Sequence, residues 1–259
     1  MANRLTERRS RLAVWSSRFA LVAIPMIIIA AIGHRIEQID ATATYGVLAL
    51  AFSLSALAVV SALAAFEAIW RDGRKGFSSA LVGFFLGLAT LVIPAIGAWK
   101  IVTLPRVVDV STDFENPPVF VVAPHESGDV GSEGVSDDDI ILLRQTYPDI
   151  VSRYYPLDTV VVFEAADAIV ERRRWTVLDR QPPQDADSSG RIEAVAQTLL
   201  FGFKQDVAIR IAPDGEGTLV DMRSAARNGT HDFGADAERI RAFFRSLDTA
   251  LQGLGAAAE

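Results

Sequence analysis

The sequence predicts a multi-pass membrane section of three α-helices followed by an α+β domain, an antiparallel sheet of four strands, or five, with two helices on one face. Three observations lead there. Three long apolar stretches occupy the N-terminal part of the 259-residue chain, and patterns of helix, four strands and helix follow in the C-terminal part. Charge divides at the same place. Up to Val102 there are ten Lys/Arg against five Asp/Glu, and from Thr103 onward fifteen against twenty-seven, giving +5 and −12, which sum to the net −7 of the whole chain. An acidic domain of this kind is not built to bind nucleic acid. The chain contains no cysteine, so disulfides, thiolate metal sites and cysteine nucleophiles are all excluded.

The apolar stretches run over about Val14–Gly33, Tyr45–Trp70 and Phe77–Trp99, each near or above the ~20 residues that a helix needs to cross a bilayer. Trp15, Trp70 and Trp99 stand at their edges, where interfacial anchors belong. Arg18 and Glu67 sit about one turn from an end, close enough for a long side chain to reach the headgroups. No charge falls at mid-membrane, which argues against an ion path or a transporter.

The loops set the orientation. The N-terminal RLTERRSR carries four arginines and the second loop, RDGRKG, three basic residues, whereas the first loop, HRIEQID, has one arginine and two acids. Lys and Arg are retained on the cytoplasmic side. The N-terminus is therefore expected in the cytoplasm and the C-terminal domain outside it, which in a Gram-negative bacterium means a cytoplasmic (inner) membrane protein with a periplasmic, extracytoplasmic domain. Gly83 and Gly87 form a G-x-x-x-G that permits close helix approach, either in a dimer or against the chain's own neighbouring helices.

Residues 1–102 are thus read as the membrane section, 103–146 as a linker containing a mobile acidic loop at 124–139, and 147–259 as the outer domain. DVSTDFENPP, Asp109–Pro118, is too rich in turn formers for a helix, and a short strand is expected at Val119–Val122. The run Asp137, Asp138, Asp139 lacks the spacing of a calcium loop and reads as solvated charge or a helix start. A helix follows at Thr159–Arg174, with Val162, Phe163, Ala166, Ile169 and Val170 on one face. Strands are expected at Trp175–Arg180, Arg191–Leu199, Lys204–Ala212 and Thr218–Ala226, and a last helix at Gly234–Leu251 presents Ile240, Phe243, Phe244, Leu247 and Leu251.

Alternation fixes one register. Val207, Ile209 and Ile211 must share the buried face with Val220 and Met222, which pairs Pro213 with Thr218 and sets Arg210 opposite Asp221. Asp206 and Arg223 then lie diagonally from that pair, in an ion-pair network expected on an exposed outer face.

The segment DMRSAARNGTHDFG, Asp221–Gly234, concentrates charge where the last strand becomes the last helix. Asn228 and Gly229 suit a turn, Asp232 is a natural N-cap, and Asp236 and Glu238 favour the positive end of the helix. Asp206, Arg223, Arg227, His231 and Asp232 are the candidate ligand- or anion-binding residues. No metal site, cofactor or catalytic set is expected, since no nucleophile elbow, H-E-x-x-H, phosphate loop or dinucleotide fingerprint occurs. Asn228-Gly229-Thr230 also matches a glycosylation acceptor, meaningful only in a eukaryotic secretory pathway.

GRIEAVAQTLLFGFKQDVAIRI and VDMRSAARNGTHDFGADAERIRAFF, with LPRVVDVSTDFENPP before them, resemble the domain-of-unknown-function family 1499, in its membrane-anchored bacterial subgroup. FGF with Asp206, the pair Arg223-Ser224, Arg227, Gly229, Asp232, Gly234 and Arg239-Ile240 carry the likeness, which spans about Asp109–Leu251. A Cys-Val-Ser-Ser-like stretch found near the domain start in some members is absent. The resemblance implies a domain boundary and no activity. The functional expectation is a non-catalytic envelope protein binding lipid, polymer or another protein, with membrane lipids and an envelope protein as partners. The alternative is an envelope hydrolase using the polar cluster around Arg223, Arg227, His231 and Asp232.

Overall fold

A computed structural model describes residues 9–123, 137–229 and 231–255. The acidic loop expected at 124–139 lies mostly outside the described residues, as does Thr230 of the glycosylation pattern. The chain divides into two compact units, Met1–Trp99 with Leu200–Gly202, and Lys100–Leu199 with Phe203–Glu259.

The first unit holds three helices, α1 (Arg11–Arg35), α2 (Ala41–Asp72) and α3 (Phe77–Thr103), each long and apolar enough to cross a membrane. Their ends follow capping chemistry. The Ala43 N–H donates to Asp40 Oδ1 at 3.0 Å to start α2, and Gly73, with φ of 63°, ends it in the left-handed conformation that glycine adopts without strain. The helices meet through small residues. Ala20, Ala23, Ala58 and Ala62 are fully buried, while large apolar side chains such as Ile29 and Val60 point outward. Ser16 donates its hydroxyl to the Ala58 carbonyl at 2.8 Å, and Thr90 donates to the Ser55 hydroxyl at 2.8 Å, tying α1 to α2 and α2 to α3.

The two glycines of the G-x-x-x-G face these same neighbours. A Cβ on Gly83 would lie 2.6 Å from the Ser16 carbonyl carbon, and one on Gly87 would lie 2.9 Å from the Ser55 carbonyl oxygen. The motif therefore serves packing within the chain.

The second unit is one antiparallel sheet with helices. Its strands are β1 (Asp109–Ser111), β2 (Arg153–Tyr155), β3 (Thr176–Gln181), β4 (Gly190–Gln197), β5 (Lys204–Asp214) and β6 (Gly217–Ala226), and its helices are α4 (Asp137–Thr146), α5 (Thr159–Arg172) and α6 (Ala235–Gly255). The order is β1-β6-β5-β4-β3, with β2 also paired to β6. Six strands replace the four or five expected. The additional pairs lie on the free edge of β6: β1 takes Arg223–Ala225 and β2 takes Thr218–Val220. Each is three residues long, too short for alternation to register, and β1 arises inside the stretch read as linker.

The β5–β6 register is the one that alternation requires, with Pro213 opposite Thr218 and Arg210 opposite Asp221. One face of the sheet buries Ile192, Val207, Ile209, Ile211, Val220 and Met222 under the apolar faces of α5 and α6, and α4 adds Leu143. Each large side chain so buried contributes roughly 1.5–3 kcal/mol. Phe243 and Phe244 belong to this packed core.

The opposite face is also covered, contrary to the expectation of an open surface. Residues 112–123 run across it as a strap, and Phe120 packs with Ala123 on Ala208, beside Leu178 and Ala225. Val177 packs on the helix side and Leu178 under the strap, as neighbours in a strand alternate, and the register shifts by a bulge between Val177 and Asp179. The strand expected at Val119–Val122 does not form. The backbone N–H groups of Val121, Val122 and Ala123 bond instead to the Glu193 carboxylate, at 2.5 to 3.1 Å.

Candidate functional site

The charged residues of β5 and β6 alternate with the core positions, so they emerge beneath the strap. At one end Arg210 donates from Nε and Nη2 to Asp221 Oδ2 at 3.1 and 2.7 Å, and from Nη2 to Asp113 at 2.9 Å. Asp221 is completely buried and also receives the Thr112 hydroxyl at 3.2 Å and the Ser152 hydroxyl. The Arg210–Asp221 pair was expected; its burial was not. A buried carboxylate with four donors is a satisfied structural group, whereas an exposed pair would contribute under ~1 kcal/mol.

Towards the other end, Asp206 and Asp109 stand opposite Ala225 from its two flanking strands. Arg223 donates from Nε and Nη2 to Asp109 at 2.5 to 3.1 Å, with its guanidinium carbon 4.8 Å from the Phe120 ring centre. Arg227 grips Asp206 in the same two-pronged way, at 2.7 to 3.0 Å. Three of the candidate residues, Asp206, Arg223 and Arg227, thus meet on one face of the sheet, and their charges are balanced locally with the help of Asp109.

His231 and Asp232 belong to the start of α6. Gly229, with φ of 96°, turns the chain out of β6. Asp232 accepts the Gly234 N–H on Oδ1 and the Asp236 N–H on Oδ2, both at 2.9 Å, so its side chain caps the first turn of α6 from three residues before Ala235, across the positive-φ residues Phe233 and Gly234, rather than from the adjoining N-cap position expected. His231 Nδ1 accepts the Phe233 N–H at 2.9 Å, so the ring is the Nε2-protonated tautomer when neutral, and it stacks on the Phe233 ring at 4.9 Å. Its Nε2 is buried with no partner among the described residues.

Sequence reasoning did not reach the cluster beneath this turn. Ser224 sits on the core side of β6 and donates its hydroxyl to Asp236 Oδ1 at 2.6 Å; Arg239 bonds the same oxygen at 2.8 Å and Ser224 Oγ at 2.9 Å, and also holds Gln205. Asp236 is fully buried, and its Oδ2 has no partner among the described residues. Burial raises its pKa well above the ordinary carboxylate value, and the Asp232 charge beside it adds to that, against the opposing effect of Arg239 and Ser224. Tyr147 is raised too, by burial and then by Asp232. The signal was present: Ser224 continues the core-facing parity of Val220 and Met222, and Asp236 lies four residues before Ile240 on the apolar stripe of α6. A polar side chain on a core stripe requires a buried partner.

Among the described residues, no group of three His, Cys, Asp or Glu side chains could hold a metal ion. A family model described as "Protein of unknown function (DUF1499)" matches residues 109–247. The chain belongs to the DUF1499 family. No curated protein matches the chain. The matched segment of this DUF1499 chain opens at Asp109, the partner of Arg223, and closes at Leu247 in the core of α6. It therefore contains the whole six-stranded sheet, the strap and both buried clusters.

Proposed function

We propose that this DUF1499 protein is a non-catalytic binding module anchored in the bacterial cytoplasmic membrane, its α+β domain held on the periplasmic side to bind a lipid, a polymer or an envelope protein. Three helices of sufficient length and apolar character support the anchor. The basic residues Arg71, Arg74 and Lys75 at the junction of α2 and α3, against Arg35, Glu37 and Asp40 at the junction of α1 and α2, support the orientation.

One observation carries the non-catalytic reading. Three of the four side chains expected to form a reactive cluster are committed elsewhere: Arg223 to Asp109, Arg227 to Asp206, and Asp232 to the first turn of α6. A hydrolase would need these groups directed at a substrate, and a guanidinium gripped through two nitrogens by a buried carboxylate is a poor oxyanion donor.

The absence of native cysteine makes the topology directly testable. Single cysteines replacing the exposed Glu216, in the β5–β6 turn, and the exposed Arg74, between α2 and α3, are treated with a membrane-impermeant maleimide on spheroplasts. Labelling at residue 216 in intact spheroplasts and at residue 74 only after permeabilisation is expected; the opposite pattern overturns the orientation. Turnover of ester or phosphoester substrates by the purified chain, lost in His231→Ala, would replace the binding reading with the hydrolase.

A further inference from the structure

A groove of about 730 Å³ lies between the end of α5 and the middle of α6, lined by Arg172, Arg173, Arg245, Ser246 and Thr249 over a floor that includes Ile169 and Ala242. It is remote in sequence from the strand-to-helix segment, and its size is that of a small-ligand pocket. The lining of α6 follows one stripe, Ala242, Arg245, Ser246, Thr249 and Ala250, at helical spacing. The small side chains at 242 and 250 leave its floor uncovered, while the apolar face of α6 packs on the sheet.

Among the described residues three arginines line the groove and no carboxylate does. Arg173 is held in place: its Nη2 donates to the Ala242 carbonyl at 2.6 Å and to the Ser246 hydroxyl at 3.0 Å, and its guanidinium carbon lies 5.7 Å from the Trp175 ring centre. Those two bonds use the hydrogens of Nη2, leaving Nη1 and Nε without an acceptor among the described residues. Among the described residues Arg245 pairs only with Glu238, at 2.7 Å and with both side chains more than half exposed, an interaction that an incoming anion displaces at little cost. The hydroxyls of Ser246 and Thr249 donate to the carbonyls of Ala242 and Arg245, so the guanidiniums are the free donors.

We propose that this groove binds a phosphoryl group carried by an anionic ligand. Guanidiniums bind tetrahedral oxyanions through paired N–H donors, and several of them match a multiply charged group better than a single carboxylate. The Arg173 pKa is lowered, by burial first and then by the charges of Arg245, Arg172 and Arg239, and a bound anion relieves that repulsion. This inference rests on the reading of the domain as a binding module and gives that reading a ligand chemistry. The phosphoryl group can come from a soluble phosphate or from a phospholipid headgroup.

The test uses the full chain in uncharged maltoside micelles, titrated at constant ionic strength with inorganic phosphate, and separately with phosphatidylglycerol against diacylglycerol in mixed micelles. Tryptophan fluorescence and melting temperature report binding. The comparison is an Arg172→Gln, Arg245→Gln double variant, chosen because neither side chain is buried; if its unliganded melting temperature falls below that of the wild type, Arg173→Lys replaces it under the same criterion. Saturable binding weakened roughly tenfold or more in the variant is expected. A response to phosphate assigns a soluble ligand, and a response to phosphatidylglycerol alone assigns a headgroup. Binding of neither probe, or equal binding by wild type and variant, overturns the proposal. An envelope ligand extracted with the wild type from native membranes and retained by the variant would remove the groove and leave the binding module standing.

Discussion

The Glu193 carboxylate receives the Val122 backbone N–H on both of its oxygens, at 3.0 and 3.1 Å, at the centre of a set of bonds that fastens residues 121–123 to the sheet. Glu193 is fully buried on the strap side, between Ile192 and Ala194, which face the helices. A hydrogen bond to a charged group contributes about 1.5–3 kcal/mol, and a buried N–H left without an acceptor loses about 1–3 kcal/mol. Glu193→Ala is therefore expected to destabilise the domain by about 3 kcal/mol or more, and Glu193→Gln by less, since one oxygen still accepts. Hydrogen exchange at Val121, Val122 and Ala123 is the specific readout. Protection at these amides that survives Glu193→Ala would mean that the strap is held by Phe120 alone.

Arg223 and Asp109 join the last strand to the first. Asp109 is 3% exposed, so Arg223→Ala strands a buried carboxylate and is expected to cost about 3–5 kcal/mol. The Asp109→Ala, Arg223→Ala double variant should lose less than the sum of the single losses, because neither charge is then left unpaired. Arg223→Lys should not restore stability, as one ammonium cannot reproduce the contacts made by Nε and Nη2 or the stack on Phe120. Denaturant midpoints of the four chains close the cycle. Additive losses would show the pair to be incidental.

The G-x-x-x-G makes a prediction about the apolar unit. Gly83→Leu and Gly87→Leu force α3 away from Ser16 and Ser55 and should lower the melting temperature of the helical section. Gly46→Ala is the control: a Cβ there meets nothing within 4 Å, and alanine stabilises a helix by up to about 1 kcal/mol relative to glycine. Unchanged melting with leucine at both glycines, together with a change of oligomeric state, would place the motif on the outside of the bundle.

What the sequence made legible depended on periodicity. The β5–β6 pairing could be read residue for residue because eleven- and ten-residue strands alternate long enough for a one-residue slip to bury Asp221 against Ile209. α5 and α6 were legible for the same reason at a period of 3.6. β1 and β2 were not, since three residues carry no period and their place is set by the free edge of β6. Missing β1 hid Asp109, and with it the partner of Arg223. Missing the strap left Asp221 and Asp206 looking solvated, because whether a polar face is covered depends on a distant irregular segment. Of the candidate site, the capping role of Asp232 was visible in local chemistry, whereas the Ser224–Asp236–Arg239 cluster needed the strand and helix to be superposed.

Asp236 couples that cluster to pH. Its folded pKa is raised, chiefly by burial and then by the neighbouring Asp232 charge, whereas in the unfolded chain it titrates near an ordinary aspartate value of about 3.9. The folded state therefore holds this proton more tightly. Its contribution to stability is fully present below about pH 3.9, is lost as the pH rises through the folded pKa, and changes no further above it. Asp236→Asn keeps an oxygen for Ser224 and Arg239 and cannot ionise. The variant should match the wild type within about 1 kcal/mol near pH 4 and become progressively more stable than it as the pH is raised. Urea unfolding of the full chain in micelles, followed by circular dichroism at several pH values, measures the difference. Stability curves that run parallel from pH 4 upward would mean that Asp236 is ionised in the folded protein, with Arg239 and Ser224 outweighing its burial.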